Sequence, residues 1–246
     1  LGLSGLTVPS DVLNPFVLAF PRLTHLDLSR TKADAALLQA LARQSADMLS
    51  LQSLSLAHCR QVTSESIHEL LVESPVTWNL TELSLEGSIL FPSPLHEFDL
   101  TSILRQAPCF RSGFMKFLDL GGCPVTNDNL ATDFAPQPSL LDLGFGSNPR
   151  ISLSAVGQFL IEKAPNVQIL DLTESCHLDN GSQLAPGQTG IGVSAFDLNR
   201  FILAPCTDTP PVPLTVQLAL MGFTHSAGGM TKEEAADYSI PQPQTN

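Results

Sequence analysis

Basic residues are scarce in this chain: 12 Lys and Arg stand against 24 Asp and Glu in 246 residues, a formal net charge of −12. A general nucleic-acid binder needs a basic stripe to neutralise phosphates, and docking on anionic lipid needs the same, so neither nucleic acid nor membrane is an expected partner. Long apolar runs are missing as well. Nowhere do 18 apolar residues follow one another, which excludes a transmembrane helix as an expectation. The chain opens at Leu1, already inside a repeated phrase, and lacks the basic start and apolar core of a signal peptide. It reads as a fragment with at least one repeat or a cap missing upstream. The five cysteines (Cys59, Cys109, Cys123, Cys176, Cys206) are odd in number and not closely paired, which points to an intracellular, cytoplasmic or nuclear, reducing compartment. The sequons Asn79-Leu-Thr81 and Asn180-Gly-Ser182 weigh little against this, because so short a pattern arises often by chance.

What recurs is Leu-x-x-Leu-x-Leu. It reads Leu23-Thr-His-Leu26-Asp-Leu28, Leu51-Gln-Ser-Leu54-Ser-Leu56 and Leu80-Thr-Glu-Leu83-Ser-Leu85, then Met115 to Leu120, Pro138 to Leu143 and Val167 to Leu172. A partial copy, Leu1-Gly-Leu3, opens the chain and a weaker one, Leu218-Ala-Leu220, lies near its end. Anchored on the first leucine of Leu-x-Leu, the copies fall at 1, 26, 54, 83, 118, 141, 170 and 218, with steps of 25, 28, 29, 35, 23, 29 and 48. A unit of this length cannot bury its apolar side alone, so copies stack into a solenoid. Leu-x-Leu sends both leucines to one face of a short strand and the residue between them to the other.

Between the strands the apolar period changes to about 3.6, the period of a helix. Ala36-Leu37-Ala40-Leu41, Ile67-Leu70-Leu71, Leu100-Ile103-Leu104, Val156-Phe159-Leu160 and Phe196-Phe201-Ile202 carry it. Ser64 and Ser154 resemble N-cap starts, and Pro21, Pro75, Pro108, Pro165 and Pro205 lie where helices should stop. The fold class expected is therefore α/β: a horseshoe arc of about eight strand–helix repeats with a parallel concave sheet over residues 1–223, followed by a polar C-terminal tail over 224–246. The long steps hold insertions: Phe91-Pro-Ser-Pro-Leu95 with a Cys109–Gly113 turn, a Gly/Pro/Asn loop within 174–192 and a Pro-rich link within 205–214.

The phrase Leu51-Gln-Ser-Leu54-Ser-Leu56-Ala-His-Cys59-Arg-Gln-Val62-Thr63 resembles the cysteine-containing class of leucine-rich repeat found in F-box proteins, and Leu118-Asp-Leu120-Gly-Gly-Cys123-Pro-Val125-Thr126 repeats it. The helical lengths also resemble the ribonuclease-inhibitor and RanGAP group. The resemblance implies a non-enzymatic recognition module that holds a protein partner, as an F-box-type ubiquitin-ligase substrate receptor or scaffold. The alternative it offers is a regulator of an enzyme, an inhibitor or a GTPase-activating protein. The latter would need a catalytic loop arginine, for which Arg30, Arg60 and Arg150 are nominal candidates. Fold and function separate readily, so the site must carry the choice.

Alternation names that site as the outward, concave side of the strands. The residues expected to bind a partner are Asp27, Glu82, Glu86, Phe117, Asp119, Leu140, Asp142, Ile169 and Asp171. The face carries six carboxylates and no Lys or Arg, which fits a basic or mixed basic-hydrophobic partner surface. Asp119, Asp142 and Asp171 are expected in one slot of consecutive repeats, a ladder about 5 Å apart whose like charges repel. No catalytic residue, cofactor or metal is expected. His58-Cys59 and Cys176-His177 lack the second pair that zinc needs, and Gly190-x-Gly192 follows no strand. His25, Asp27 and Ser29 share an open ribbon with no oxyanion pocket. Trp78 is read as plugging the helix-side core or covering an edge, and Leu118 and Leu141 as buried.

Overall fold

The Leu-x-Leu phrases become three-residue strands: β1 (His25–Asp27), β2 (Ser53–Ser55), β3 (Glu82–Ser84), β4 (Phe117–Asp119), β5 (Asp142–Gly144) and β6 (Ile169–Asp171). The computed structural model describes residues 1–173, Ser175 and the backbone of Phe201–Ile202. The chain divides into Leu1–Ile202 and Leu203–Asn246. The second unit lies outside the described residues, and with it the expected copy at Leu218 and the polar tail. So do Cys176-His177, Asn180, Gly190-x-Gly192 and the insertions within 174–192 and 205–214, Ser175 excepted.

Strands β1 to β6 form one open, all-parallel sheet in chain order. The central leucines of the six strands (Leu26, Leu54, Leu83, Leu118, Leu143, Leu170) sit side by side and are buried. Pairing runs on past the strand ends. Arg30 N–H donates to Ala57 C=O at 2.8 Å, His58 N–H to Glu86 C=O at 2.7 Å, Gly122 N–H to Gly146 C=O at 2.8 Å and Ser147 N–H to Thr173 C=O at 2.7 Å. At the start of the chain Gly2 bridges to Asp27 in parallel, as the partial copy Leu1-Gly-Leu3 predicts.

The register corrects the sequence reading in one unit. Leu143, not Leu141, lies beside Leu118 and Leu170. Leu141 N–H and Asp142 N–H share Lys116 C=O at 2.9 and 3.1 Å, the pre-strand pattern of Gln52 and Ser53 on Thr24 C=O. The phrase is thus Leu140-x-x-Leu143-x-Phe145, with Phe145 taking the second leucine's place. Leu143 and Phe145 are fully buried, whereas Leu141 is 40% exposed. Three closely spaced leucines allowed either frame, and the core accepted an aromatic where only leucine was sought. The steps around this strand become 25 and 27 residues, more even than 23 and 29.

Helix α1 (Ser10–Leu18) precedes β1, and α2 (Ala35–Ala42), α3 (Ser64–His68), α4 (Glu97–Gln106), α5 (Pro108–Arg111) and α6 (Leu153–Glu162) lie between the strands in sequence. Helices α1 to α5 pack on one another in succession, and α6 packs on the turn Asn129–Asp133, which itself packs on α4. Their apolar stripes, such as Leu37, Leu38 and Leu41 or Leu100, Ile103 and Leu104, join the strand leucines in the core. The helix after β2 continues as a π-helical turn, Glu69–Glu73, and a second such turn spans Asn129–Asp133. The N-caps are Thr63, accepting from Ser66 N–H, and Ser152, accepting from Ala155 N–H. Ser64 and Ser154, the residues expected there, lie inside the helices; a cap needs extended backbone, which Thr63 (φ −113°, ψ 156°) and Ser152 (φ −99°, ψ 154°) have. Pro75 and Pro108 begin short helical turns instead of only stopping the previous helix, as proline's fixed φ and missing N–H allow at a first position.

Two further expectations fail. Phe201–Ile202, read as helical, is strand β7, paired antiparallel with β6. Periodicity cannot separate a short apolar run in a helix from a strand, and an aromatic beside a β-branched residue favours the strand. Of the two readings of Trp78 the core plug fails, since the residue is 50% exposed; it follows the 3-10 turn Pro75–Thr77, whose Val76 and Thr77 take the buried positions.

Candidate functional site

Three rows of side chains cross the outward face of the ribbon. The row before the central leucine is His25, Ser53, Glu82, Phe117, Asp142 and Ile169. The row after it is Asp27, Ser55, Ser84, Asp119, Gly144 and Asp171. The third, marked by the carbonyls that accept the post-strand hydrogen bonds, is Ser29, Ala57, Glu86, Gly121, Gly146 and Thr173. Six carboxylates and no Lys or Arg stand in these rows.

The frame shift in β5 rearranges the expected site. Leu140 belongs to the row of Leu51, Leu80 and Met115 and is fully buried, so it is a core residue and not part of the face. Asp142 stands between Phe117 and Ile169, and Gly144 fills the slot between Asp119 and Asp171. The three-aspartate ladder therefore does not form. Asp27, Glu82, Glu86, Phe117, Asp119, Asp142, Ile169 and Asp171 all lie half-buried in the three rows.

Asp27, Asp119 and Asp171 share one local geometry. Each carboxylate accepts from the backbone N–H two residues on, that of Ser29, Gly121 or Thr173, at 2.9 Å in every case. Asp27 also accepts from Ser29 Oγ, which lies 2.6 Å from Ser55 Oγ. His25 Nδ1 instead meets Thr24 Oγ1 at 2.9 Å, so His25, Asp27 and Ser29 form no relay. The aspartates thus tie off the strand ends before any partner arrives.

Glu82, Glu86, Phe117 and Asp119 converge, together with serines 4, 29, 53, 55 and 84, Arg30 and His58, on one concavity of ≈ 330 Å³. Its floor is hydroxyl-rich and its walls are acidic. Glu86 Oε1 approaches His58 Nε2 at 3.6 Å. Asp119 is the group under most electrostatic pressure: burial, and then the charges of Glu86, Asp171 and Asp142, push its carboxyl up to about 6 despite the hydrogen bond from Gly121. Asp27, Asp142, Ile169 and Asp171 flank this concavity without lining it.

Alternation already puts Ser4, Ser29, Ser53, Ser55 and Ser84 on the outward face; what the sequence reading does not bring to this site is the pair at its lip, Arg30 and His58. Both have left-handed backbone (φ 57° and 56°) in the same slot of adjacent units, four residues after the central leucine. Gly5, Gly122 and Ser147 share that conformation and slot. A recurrent post-strand turn was legible in the spacing, but only a glycine advertises positive φ.

The thiols serve as donors as well as filling space. Cys59 Sγ–H donates to Leu28 C=O at 2.9 Å and Cys123 Sγ–H to Leu85 C=O at 3.5 Å. Thr31, Asn148 and Ser175 do the same work in other units, on Leu28, Leu120 and Leu172 C=O. The position requires a small donor beneath a strand end, which explains a cysteine there without redox or metal chemistry. Among the described residues no group of three His, Cys, Asp or Glu is placed to hold a metal ion. Nor is any described helix long and apolar enough to cross a membrane. Of the candidate arginines, Arg150 pairs with Glu97 at 2.6 Å, and the Arg60 guanidinium lies 3.7 Å over the Phe91 ring. A comparison of the chain with protein-family models and with curated protein sequences finds no match.

Proposed function

We propose that this chain is a non-enzymatic recognition module of leucine-rich-repeat type, intracellular, which binds a protein partner on the outward face of β1 to β6. The observation that carries this reading is the charge of that face: six carboxylates without a Lys or Arg, gathered around the Phe117 and Ile169 side chains. Parallel pairing holds these groups on a rigid frame, so little ordering entropy is lost when a ligand docks. Three acids converging on a serine-floored concavity beside an aromatic ring suit a lysine or arginine side chain next to an apolar one. The raised pKa of Asp119 belongs with this: a cation beside Glu86 and Asp119 would offset the burial, and then the neighbouring charges, that now favour the neutral acid.

Within that class, an F-box-type substrate receptor or scaffold is the role we favour, on the strength of the Cys59 and Cys123 phrases. A GTPase-activating role would need a free loop arginine aimed at a ligand; Arg150 is paired with Glu97 and Arg60 lies over the Phe91 ring, which leaves Arg30 as its candidate. The test is binding to an array of basic-aromatic peptides. Glu82→Lys with Asp142→Lys should abolish capture of those peptides while the melting curve stays unchanged. Retention of the same peptides at wild-type strength would remove the acidic face from the function.

A further inference from the structure

Cations are rare in this chain, yet three of them line one concavity of ≈ 510 Å³ at the strand-end rim: Arg30, Lys32 and Arg60, with His58 and Phe91 beside them. No carboxylate is among its lining residues. The arrangement follows from the repeat. Arg30 and His58 occupy one slot in adjacent units, and Lys32 and Arg60 occupy the slot two residues later, so two cationic rows stand side by side. Backbone hydrogen bonds from Arg30 N–H to Ala57 C=O (2.8 Å) and from His58 N–H to Glu86 C=O (2.7 Å) lock these turns together. The Phe91 ring under the Arg60 guanidinium holds that side chain in place at 3.7 Å.

The ion pairs among the described residues use Arg105, Arg150, His58 and His96; Arg30, Lys32 and Arg60 take part in none. Massing unneutralised cations costs free energy through repulsion, which an anion would remove. A chain of net charge −12 repels a polyanion at long range, so a nucleic-acid backbone is disfavoured. A single compact anion is not, because short-range contacts dominate its binding. Two guanidinium forks and an ammonium match a dianion with three acceptor oxygens better than a carboxylate with two.

We infer that this rim binds the phosphate monoester of a phosphorylated serine or threonine side chain. The inference stands apart from the acidic face, although Arg30 and His58 border both concavities and one peptide chain could reach both.

The experiment titrates the full chain with a short uncharged peptide carrying one phosphoserine, with its unphosphorylated twin, and with inorganic phosphate. The phosphopeptide should bind at least about tenfold more tightly than its twin, and Arg30→Gln, Lys32→Gln and Arg60→Gln should each weaken it about tenfold, one charge-assisted hydrogen bond's worth. Inorganic phosphate should compete, and the control Arg22→Gln should change nothing. Lys32→Gln leaves the Arg60–Phe91 contact intact, so it tests the site even where Arg60→Gln lowers the melting temperature. Equal binding of the twin peptide, wild-type binding by Lys32→Gln, or tighter binding of a single-stranded RNA oligonucleotide would each overturn the proposal. Glu82→Lys, on the acidic face, should leave phosphopeptide binding in place; this separates failure here from failure of the acidic-face reading.

Discussion

The Asp119 carboxylate leans across to the neighbouring strand into space that Gly144 leaves open: a methyl group on Gly144 would sit 2.5 Å from Asp119 Oδ1 and 2.7 Å from its Cγ. The carboxylate cannot simply swing away, because Gly121 N–H holds that same oxygen at 2.9 Å. Gly144→Ala should therefore destabilise the fold by about 1–3 kcal/mol, the usual cost of overpacking. Asp119→Ser in the same chain should restore most of that loss, since the shorter side chain vacates the contact. A double-mutant cycle by denaturant unfolding measures this coupling, and strictly additive single effects would refute it.

Asp119 should also make the fold pH-sensitive in an unusual direction. Its folded-state carboxyl lies near 6, above the ordinary value of 3.8, so the folded protein holds this proton more tightly than the unfolded chain does. The linkage sign follows: the contribution is favourable at low pH, falls as pH rises from about 4 to 6, and stays at its minimum above that. Asp119→Asn keeps an acceptor for Gly121 N–H and removes the charge. It should stabilise the protein at pH 7 by on the order of 1–2 kcal/mol, allowing for solvent at the open side, and leave it unchanged near pH 3.5. Melting curves of both proteins across this range provide the check; a difference independent of pH would mean that Asp119 titrates normally.

The frame of β5 has its own signature in stability. Leu143 is fully buried and should cost about 2–5 kcal/mol when changed to Ala, a loss that also loosens the units on either side. Leu141→Ala, at a residue 40% exposed, should cost less than about 1 kcal/mol. Urea unfolding of the two variants settles the register, because the alternative frame buries both leucines and demands a large loss at each.

These residues also mark how far the sequence could be read. The strands were legible wherever leucine stood at both anchor positions, as in Leu54-Ser-Leu56, because period two and a buried leucine pair have one solution. In β5 the second anchor is Phe145, and the stretch Leu140-Leu141-Asp-Leu143 offered a competing frame with equal hydrophobicity. The outward rows of five strands were right for the same reason that the fifth was wrong: a face follows rigidly from its anchor, so an error of two residues relocates every member. The rim cations Arg30 and Arg60 read as loop residues, but their grouping with Lys32 was not legible, for a different cause. Their slots lie beyond the strands, where the chain turns through positive φ at Arg30 and His58, and no propensity rule places non-glycine residues there.

The three buried thiols should be chemically silent. Burial pushes Cys123 and Cys109 up to about 12 and raises Cys59 as well, so none carries appreciable thiolate near neutrality. Cys59, Cys109 and Cys123 should therefore resist iodoacetamide in the native protein at pH 8 and react only on unfolding, as peptide mapping by mass spectrometry would show. Substitution separates their two roles. Cys59→Ser keeps a small donor for Leu28 C=O, whereas Cys59→Val fills the space and gives up that bond, leaving the carbonyl to Thr31 N–H and Thr31 Oγ1. A single hydrogen bond is worth about 0.5–1.5 kcal/mol net, and the hydroxyl keeps it. Cys59→Ser should thus be the more stable of the two; if Val proves more stable, the position is an apolar plug and its hydrogen bond is incidental.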